Sequence, residues 1–246
     1  MKSGAPRTAS RQERWLTAAL TVALLAAVAL SAVVVAHPQP FAWEVTLTRS
    51  VQRQAWLCLP LQAISWPGNS VLAQGSCLLL ACGLLARHGW AQEARALAYV
   101  GVGAFLWNIA LKALVGRSRP TGEIVQLHVA ANGWSFPSGH VMFYTAFYGG
   151  MALFAQSKLS PSVKRASLIA LCATLVGLAG VSRVFLGAHW PTDVAAGYGY
   201  GLAWLLLIGR PLWQANPQGG APGLAESDLA PSGAAAAQAT ERSGYV

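Results

Sequence analysis

Three short segments of the chain carry the residue types that phosphoryl chemistry requires. They are Lys112 through Arg119-Pro120, Pro137-Ser138-Gly139-His140, and Ser182-Arg183 followed by His189 and Asp193. Phosphoryl transfer requires concentrated positive charge, hydrogen-bond donors for the equatorial oxygens, a nucleophile, and an acid for the leaving group. Each requirement has a candidate here, so the sequence predicts one phosphate-handling site.

The first segment supplies cations. Lys112 and Arg119 lie seven positions apart, about two helical turns, so they share a face if the helix continues that far. Pro120 is then predicted to end the helix. A compact ammonium and a planar guanidinium together suit several phosphate oxygens. Arg117 falls off this pattern and is interpreted as a solvated or headgroup-facing charge.

The second segment directly precedes an apolar stretch. Ser138 is predicted to be a helix N-cap, and Gly139 allows the backbone to approach a ligand closely. Free N–H groups at a helix start bind anions. A serine and a glycine at a helix start more often only cap the helix, but His140 beside them is placed to protonate a departing oxygen.

The third segment pairs a histidine with an acid. Arg183 closes an apolar stretch, and Pro191 suits the first turn of the next helix. With helical spacing, the Asp193 carboxylate can accept a hydrogen bond from His189 Nδ1–H and leave Nε2 free as a nucleophile. Taken alone, the pair equally suits a proton relay or a metal site. No third ligand lies at a useful spacing, so no metal is predicted.

The three ordered motifs resemble the signature of the type-2 phosphatidic acid phosphatase family, which also includes the vanadium haloperoxidases. Every signature position between Lys112 and Asp193 is filled. The resemblance implies a helical bundle and a two-step hydrolysis without metal or cofactor. His189 would attack phosphorus, Asp193 would orient the His189 imidazole, and His140 would protonate the leaving group. The implied phosphate-binding residues are Lys112, Arg119, Ser138, Gly139 and Arg183.

The composition places most of the chain in a bilayer, because 54% of its residues are hydrophobic and only 10% are charged. We therefore predict an all-α integral membrane bundle of six transmembrane helices. The predicted spans are Leu16 to Ala36, Asn69 to Ala86, Ala96 to Leu111, Val141 to Ser157, Ala166 to Ser182 and Val194 to Gly209. Six spans also disfavour the mainly soluble haloperoxidase branch.

The predicted organisation has three parts. Residues 1–15 form a basic N-terminus, residues 16–214 form the membrane domain, and residues 215–246 form a disordered tail that contains too few large apolar residues to offset its ordering entropy. The first span could instead be a signal peptide. Its apolar stretch exceeds the usual length, about 7–15 residues, and lacks a convincing cleavage site, so we expect it to be retained.

The net charge of +9 does not indicate nucleic-acid binding, because the cations lie beside the predicted spans rather than on a soluble face. Lysines and arginines lie in the N-terminal segment, in two connections and beside the end of the last span. The positive-inside rule predicts that these four regions are cytoplasmic. Both termini are then cytoplasmic, and the site lies on the outer face of the plasma (inner) membrane. The cations of the three motifs fall on that outer side, where an anionic ligand explains them.

Three further features have mainly structural interpretations. Residues 37–68 contain many aromatic residues and prolines, which suits either a broken amphipathic element at the outer interface or an ordinary loop. Gly197 and Gly201 form a small-xxx-small pair typical of helix packing. The four cysteines show no metal-ligand spacing and are interpreted as packing residues.

The leading functional hypothesis is therefore a phosphatase acting on a membrane lipid such as phosphatidic acid, phosphatidylglycerol phosphate or undecaprenyl diphosphate. One alternative is a lipid phosphotransferase that uses the same intermediate. Another is a six-span transporter or lipid-binding protein without catalysis. The sequence does not indicate an oligomeric state. Candidates for headgroup contacts are Glu123, His128 and Trp134.

Overall fold

The computed structural model describes residues 11–209, and all regular secondary structure in this part of the chain is helical. The helices are α1 (Arg11–Ala36), α2 (Ala42–Gln52), α3 (Cys58–Ser65), α4 (Val71–Arg87), α5 (Ala91–Val115), α6 (Gly139–Lys158), α7 (Val163–Phe185) and α8 (Pro191–Trp204). Single 3₁₀ turns at Ala55–Leu57 and Trp66–Gly68 and a π turn at Leu205–Gly209 complete them. The all-α prediction is confirmed, and the predicted tail lies outside the described residues.

Local sequence signals set several helix ends. Ser162 caps α7 by accepting a hydrogen bond from the Arg165 amide at 3.2 Å. Helix α5 ends at Val115 because Gly116 adopts a left-handed conformation with φ of 62°. The prediction that this helix continues to Arg119 and ends at Pro120 is therefore wrong.

Helix α6 lies at the centre of the bundle and packs against α5, α7 and α8, while α1 packs on α8 and α4 on α5. Close approach of α8 to α6 depends on small residues. A Cβ at Gly197 would lie 2.9 Å from the Ser138 carbonyl oxygen, and one at Gly201 would lie 2.8 Å from Thr145 Cβ. The packing interpretation of this glycine pair is confirmed. The four cysteines are free.

Within residues 11–209, three helices are long and apolar enough to cross a membrane: α1 from Arg14, α5 and α7. A fourth span results if Ala55–Gly68 and Val71–Arg87, which meet at a bend of 71°, count as one. By length and composition the predicted six spans are thus not confirmed. The outward faces are apolar, with Leu79 74% and Leu106 59% exposed, as expected for a membrane protein.

Residues 37–68 form α2, α3 and their short turns rather than an ordinary loop, so the broken helical element is confirmed. Helix α2 packs on α7 and α8. Its polar residues Glu44, Thr48 and Gln52 are buried, whereas Trp43 is 52% exposed. The segment therefore presents polar side chains to the interior of the bundle.

The candidate site lies where five helix termini meet. Helices α5 and α7 end there with Lys112 and Arg183 in their last turns, and α6 and α8 begin there. Val71 at the start of α4 lines the same cavity. The cations of the last turns and the free N–H groups of the first turns are thus brought together.

Candidate active site

The three sequence motifs converge on one cavity of about 240 Å³, called the phosphate cavity below. Its wall combines cationic, imidazole and amide side chains with the start of α6. The polar lining residues include Asn69, Gln74, Asn108, Lys112, Arg119, His140 and His189. Both histidines singled out from the sequence therefore face one space.

Lys112 and Arg119 reach the cavity from opposite sides of the α5–α6 connection. Lys112 Nζ donates hydrogen bonds to the carbonyl oxygens of Trp134 and, at 3.4 Å, Ser135. Arg119 Nη1 donates to the Ala188 carbonyl at 2.8 Å. These bonds fix two positive charges beside His189, although the two residues do not share a helix.

Ser138 occupies the N-cap of α6, as predicted, but its side chain makes no capping hydrogen bond. It is completely buried, and its Oγ has no hydrogen-bond partner. Gly139 permits close packing, because a Cβ there would lie 2.8 Å from Asn108 Oδ1. His140 Nε2 lies 3.2 Å from Asn69 Oδ1, and both residues line the phosphate cavity.

Arg183 is 3% exposed and contacts the α3–α4 corner. Its Nη1 donates hydrogen bonds to Ser65 Oγ and, at 3.5 Å, to Asn69 Oδ1. Its Nε has no partner. A buried donor without a partner is costly. Neither Arg183 nor Ser138 lines the phosphate cavity.

His189 lies just before α8 and is 2% exposed. Its Nε2 lies 3.2 Å from Arg119 Nη1. A guanidinium has only donors, so Nε2 must be the acceptor and the proton is assigned to Nδ1. Burial lowers the pKa of His189 well below its ordinary value of 6.5, and the positive charges of Arg119, Lys112 and Arg183 lower it further. The imidazole is thus neutral with a lone pair on Nε2.

Asp193 approaches His189 from the first turn of α8. Its Oδ2 lies 3.6 Å from His189 Nδ1, longer than the direct hydrogen bond that the spacing predicts. Oδ2 already accepts from Ser135 Oγ and, at 2.9 Å, from the Trp190 amide. Ser135 Oγ in turn lies 3.5 Å from His189 Nδ1. Ser135 Oγ therefore lies close to both the carboxylate and the imidazole.

Arg117 is completely buried, so its interpretation as a solvated or headgroup-facing charge is wrong. It lies between two buried carboxylates, with Nη2 2.7 Å from Glu44 Oε2 and Nη1 2.6 Å from Asp193 Oδ1. Because α5 ends at Val115, Arg117 is free to turn inward. A buried charge requires such partners.

An apolar groove of about 130 Å³ adjoins the phosphate cavity between α4, α5 and α6. The two share Val71, Gln74, Phe105 and Phe143 in their walls. Gly75, Leu78 and Gly101 also line the groove. Polar and apolar spaces are therefore continuous, as an amphiphilic ligand requires.

The family model of the PAP2 superfamily matches residues 12–216, which include all three motifs. The chain belongs to the PAP2 superfamily. The resemblance inferred from the motifs is thereby confirmed.

Among curated PAP2 relatives, phosphatidylglycerophosphatase B of Bacillus subtilis is 36% identical over 104 residues, covering 42% of this chain and 50% of the relative. Lipid A 1-phosphatase of Rhizobium etli is 33% identical over 132 residues, covering 47% and 52%. Decaprenylphosphoryl-5-phosphoribose phosphatase of Mycolicibacterium smegmatis is 35% identical over 123 residues, covering 48% and 60%. The chain thus spans about half the length of the first two relatives.

Two solved structures share the PAP2 fold. The transmembrane PAP2-type phosphatidylglycerolphosphate phosphatase of Bacillus subtilis aligns with a TM-score of 0.63 and 24% identity, covering 77% of this chain and 93% of the other. Aquifex aeolicus LpxE aligns with a TM-score of 0.52 and 21% identity, covering 68% and 96%. At these identities the likeness establishes the fold alone.

The headgroup candidates lie apart from the phosphate cavity of this PAP2 protein. The His128 ring stacks on Phe185 at 5.2 Å between centroids. Glu123 lines a separate surface cavity, and Trp134 contributes its carbonyl to Lys112. None of these three side chains lines the phosphate cavity.

Sequence reasoning missed Glu44, Ser135 and Thr192. Glu44 nevertheless had a signal, since it is one of only eight acidic residues and stands between tryptophan and valine in an apolar segment. An acid in such surroundings is a functional candidate by default. Ser135 and Thr192 had no comparable signal. Within residues 11–209, no group of three or more His, Cys, Asp or Glu side chains is arranged to hold a metal ion.

Proposed function

We propose that this PAP2 protein is a membrane lipid phosphatase that hydrolyses a lipid phosphomonoester or diphosphate through a phosphohistidine at His189. The observation that carries the proposal is the 3.2 Å contact between Arg119 Nη1 and His189 Nε2. It identifies Nε2 as the atom with the lone pair. The same guanidinium is placed to neutralise a phosphoryl oxygen as that nitrogen attacks.

In the first step, His189 Nε2 forms a bond to phosphorus while the bond from phosphorus to the leaving oxygen breaks. His140, which carries a second proton once the anionic phosphoryl group is bound beside it, donates that proton to the leaving oxygen, so the lipid alcohol or phosphate leaves without an added charge. Lys112, Arg119 and Arg183 supply the positive charge, and Ser138 and the first amides of α6 supply donors for the phosphoryl oxygens.

In the second step, water attacks the phosphohistidine and gives a proton to the now neutral His140. The bond from phosphorus to His189 Nε2 breaks, inorganic phosphate leaves, and both histidines return to their initial states. Throughout, Asp193 and Ser135 stabilise the imidazole through its Nδ1–H. The cycle consumes one water and needs no metal.

The apolar groove beside the phosphate cavity supports a lipid substrate, because it offers a space for the first part of an acyl or isoprenoid chain. The relatives named above act on glycerolipid, lipid A and isoprenoid phosphates. We therefore assign the substrate to the class of membrane lipid phosphates, including phosphatidic acid, phosphatidylglycerol phosphate and undecaprenyl diphosphate.

The helix directions support six membrane crossings. If α5 and α7 cross, both towards the phosphate cavity, then α6, which begins there and joins α7 after residues 159–162, crosses back. Helix α4 likewise begins at the cavity and joins α5 after residues 88–90. Arg87, Arg95, Lys164 and Arg165 lie at or beside the two connections at the opposite end. By the positive-inside rule we assign these connections to the cytoplasm and propose that the cavity opens on the outer side of the plasma (inner) membrane.

Phosphate release by purified protein in detergent, measured across glycerolipid and isoprenoid phosphates, tests this function. We expect release from at least one lipid and none from the His189→Ala variant. Absence of release from every substrate would refute the hydrolase. Appearance of the labelled phosphoryl group on an added lipid or sugar acceptor, without free phosphate, would instead identify a phosphotransferase.

A further inference from the structure

A chain of buried charges connects α2 to the carboxylate beside His189. Glu44 on α2 contacts Arg117 at 2.7 Å, and Arg117 contacts Asp193 at 2.6 Å. All three side chains are completely buried. The order Glu44, Arg117, Asp193 alternates in sign, so each charge stabilises its neighbour in an environment of low dielectric constant.

Glu44 also holds the start of the helix that carries Asp193. Its Oε1 accepts hydrogen bonds from the Thr192 amide at 3.1 Å and from Thr192 Oγ1 at 2.6 Å. Thr192 lies in the first turn of α8, so a carboxylate from a different helix satisfies one of the amides that this turn leaves unpaired. Glu44 thus fixes both the charge partner of Asp193 and the backbone beside it.

The two oxygens of Asp193 have separate partners. Oδ1 accepts from Arg117, whereas Oδ2 accepts from Ser135 and the Trp190 amide and lies nearest His189 Nδ1. Rotation of the carboxylate would break bonds on both sides. The guanidinium, together with Ser135 and the Trp190 amide, therefore fixes which oxygen faces the imidazole.

We propose that Glu44, acting through Arg117, is a positioning residue that holds Asp193 in the orientation required by the nucleophile His189. This inference rests on the proposed function and deepens it, because it assigns the outer segment before α4 a part in the reaction. Neither Glu44 nor Arg117 lines the phosphate cavity. Their contribution is expected in kcat rather than in KM.

Glu44→Gln is the most informative change because it preserves size and removes charge. A glutamine has one acceptor oxygen where glutamate has two. It cannot accept from Thr192 with one atom and from Arg117 with the other, so Arg117 loses a partner and holds Asp193 Oδ1 less firmly. We expect kcat to fall about 10–100-fold, as for other residues that orient a reacting side chain, with KM changed less than about 3-fold.

A double-mutant cycle separates positioning from a general structural role. If Glu44 acts through Asp193, adding Glu44→Gln to Asp193→Asn should reduce kcat little beyond Asp193→Asn alone. Gln52→Ala is the matched control. Gln52 also anchors α2, through the Gln126 and Phe185 carbonyls at 2.7 and 2.8 Å, but it does not contact Arg117 or Asp193, so its effect should multiply with that of Asp193→Asn.

The same cycle with Ser135→Ala provides a measurable reference if Asp193→Asn is too slow, because Ser135 is the other side-chain donor to Asp193. If thermal unfolding shows that the Glu44→Gln variant does not fold, Glu44→Asp takes its place in the cycle. This change keeps the charge but shortens the side chain. Independent effects of Glu44 and Asp193, or a loss confined to KM, would overturn the inference. Inactivity of the unmodified protein on all lipids would refute the proposed function instead.

Discussion

The backbone N–H of Ser138 donates a hydrogen bond to the carbonyl oxygen of Asp193 at 3.0 Å. Ser138 is the N-cap of α6, and Asp193 lies in the first turn of α8. The bond therefore joins the anion-binding end of one helix directly to the residue that stands beside the nucleophile. A displacement of α8 relative to α6 alters both together.

Gly197→Ala tests this coupling. The new Cβ would lie 2.9 Å from the Ser138 carbonyl oxygen, so α6 and α8 must separate. We expect a loss of about 1–3 kcal/mol in unfolding free energy from the overpacking, together with a marked fall in kcat. Thermal unfolding in detergent and phosphate release measure the two effects.

Gly201→Ala is the control for that prediction, since its Cβ would meet Thr145 at 2.8 Å one turn further from the site. It should destabilise to a similar extent while retaining more activity at temperatures where both variants are folded. Equal activity losses for the two variants would show that the effect is one of stability alone.

The two histidines should respond differently to the leaving group. His189→Ala removes the nucleophile, so we expect turnover to fall by about 10³-fold or more on every substrate. His140→Ala removes the acid and should recover substantially on an aryl phosphate, whose leaving group needs little protonation. Steady-state rates on lipid and aryl phosphates, with quenched labelling of the phosphoenzyme, measure this difference. A phosphoenzyme in His189→Ala would contradict the assigned roles.

The pH dependence follows from the lowered pKa of His189. Because burial and neighbouring cations lower this pKa well below 6.5, the acid limb that His189 contributes to kcat/KM should lie below pH 6.5. The unfolded chain binds the proton more readily in that range, so the stability contributed by the neutral imidazole is complete above pH 6.5 and is lost as the pH falls below it.

Arg119→Gln should move that acid limb upward, since it removes a positive charge close to the imidazole, even though overall activity falls. Arg53→Gln, on the exposed end of α2, should leave the limb in place. The pH profiles of kcat/KM for the three proteins test this, and a wild-type limb at or above pH 6.5 would contradict the neutral nucleophile.

Chelators should leave activity intact, and vanadate should inhibit. The described residues form no group of three or more potential His, Cys or carboxylate ligands, whereas the phosphate cavity can accommodate a five-coordinate vanadate bound to His189. Rates with EDTA, and with vanadate at increasing concentration, provide the measurement. Loss of activity in EDTA that magnesium restores would demonstrate a metal requirement.

Membrane orientation can be tested by labelling single cysteines. In a variant lacking Cys58, Cys77, Cys82 and Cys172, a cysteine at Ala131 should react with an impermeant thiol reagent on intact cells, because the α5–α6 connection lies at the end of the phosphate cavity. A cysteine at Ser162, in the opposite connection, should react only after the cells are opened. The reverse pattern would place the site in the cytoplasm.

Each predicted role lies in a short motif near a helix end, and the structure places Lys112, Arg119, Gly139, His140 and His189 around one cavity. The prediction that α5 continues to Arg119 is wrong because Gly116, a standard C-terminal signal, ends the helix at Val115. That error also assigned Arg117 to the surface. Glu44 lies 149 positions before Asp193, and nothing in local sequence indicates such a long-range pair.

The position of Glu44 affects whether the motif region can be transferred alone into another protein. The three motifs lie between residues 112 and 193, yet the charge that balances Arg117 is supplied from α2, outside that interval. A chimera that transplants only the motif region would carry a buried arginine and aspartate without the third member of their network. Transfer of the motif region of this chain into another protein therefore also requires a carboxylate in the position of Glu44.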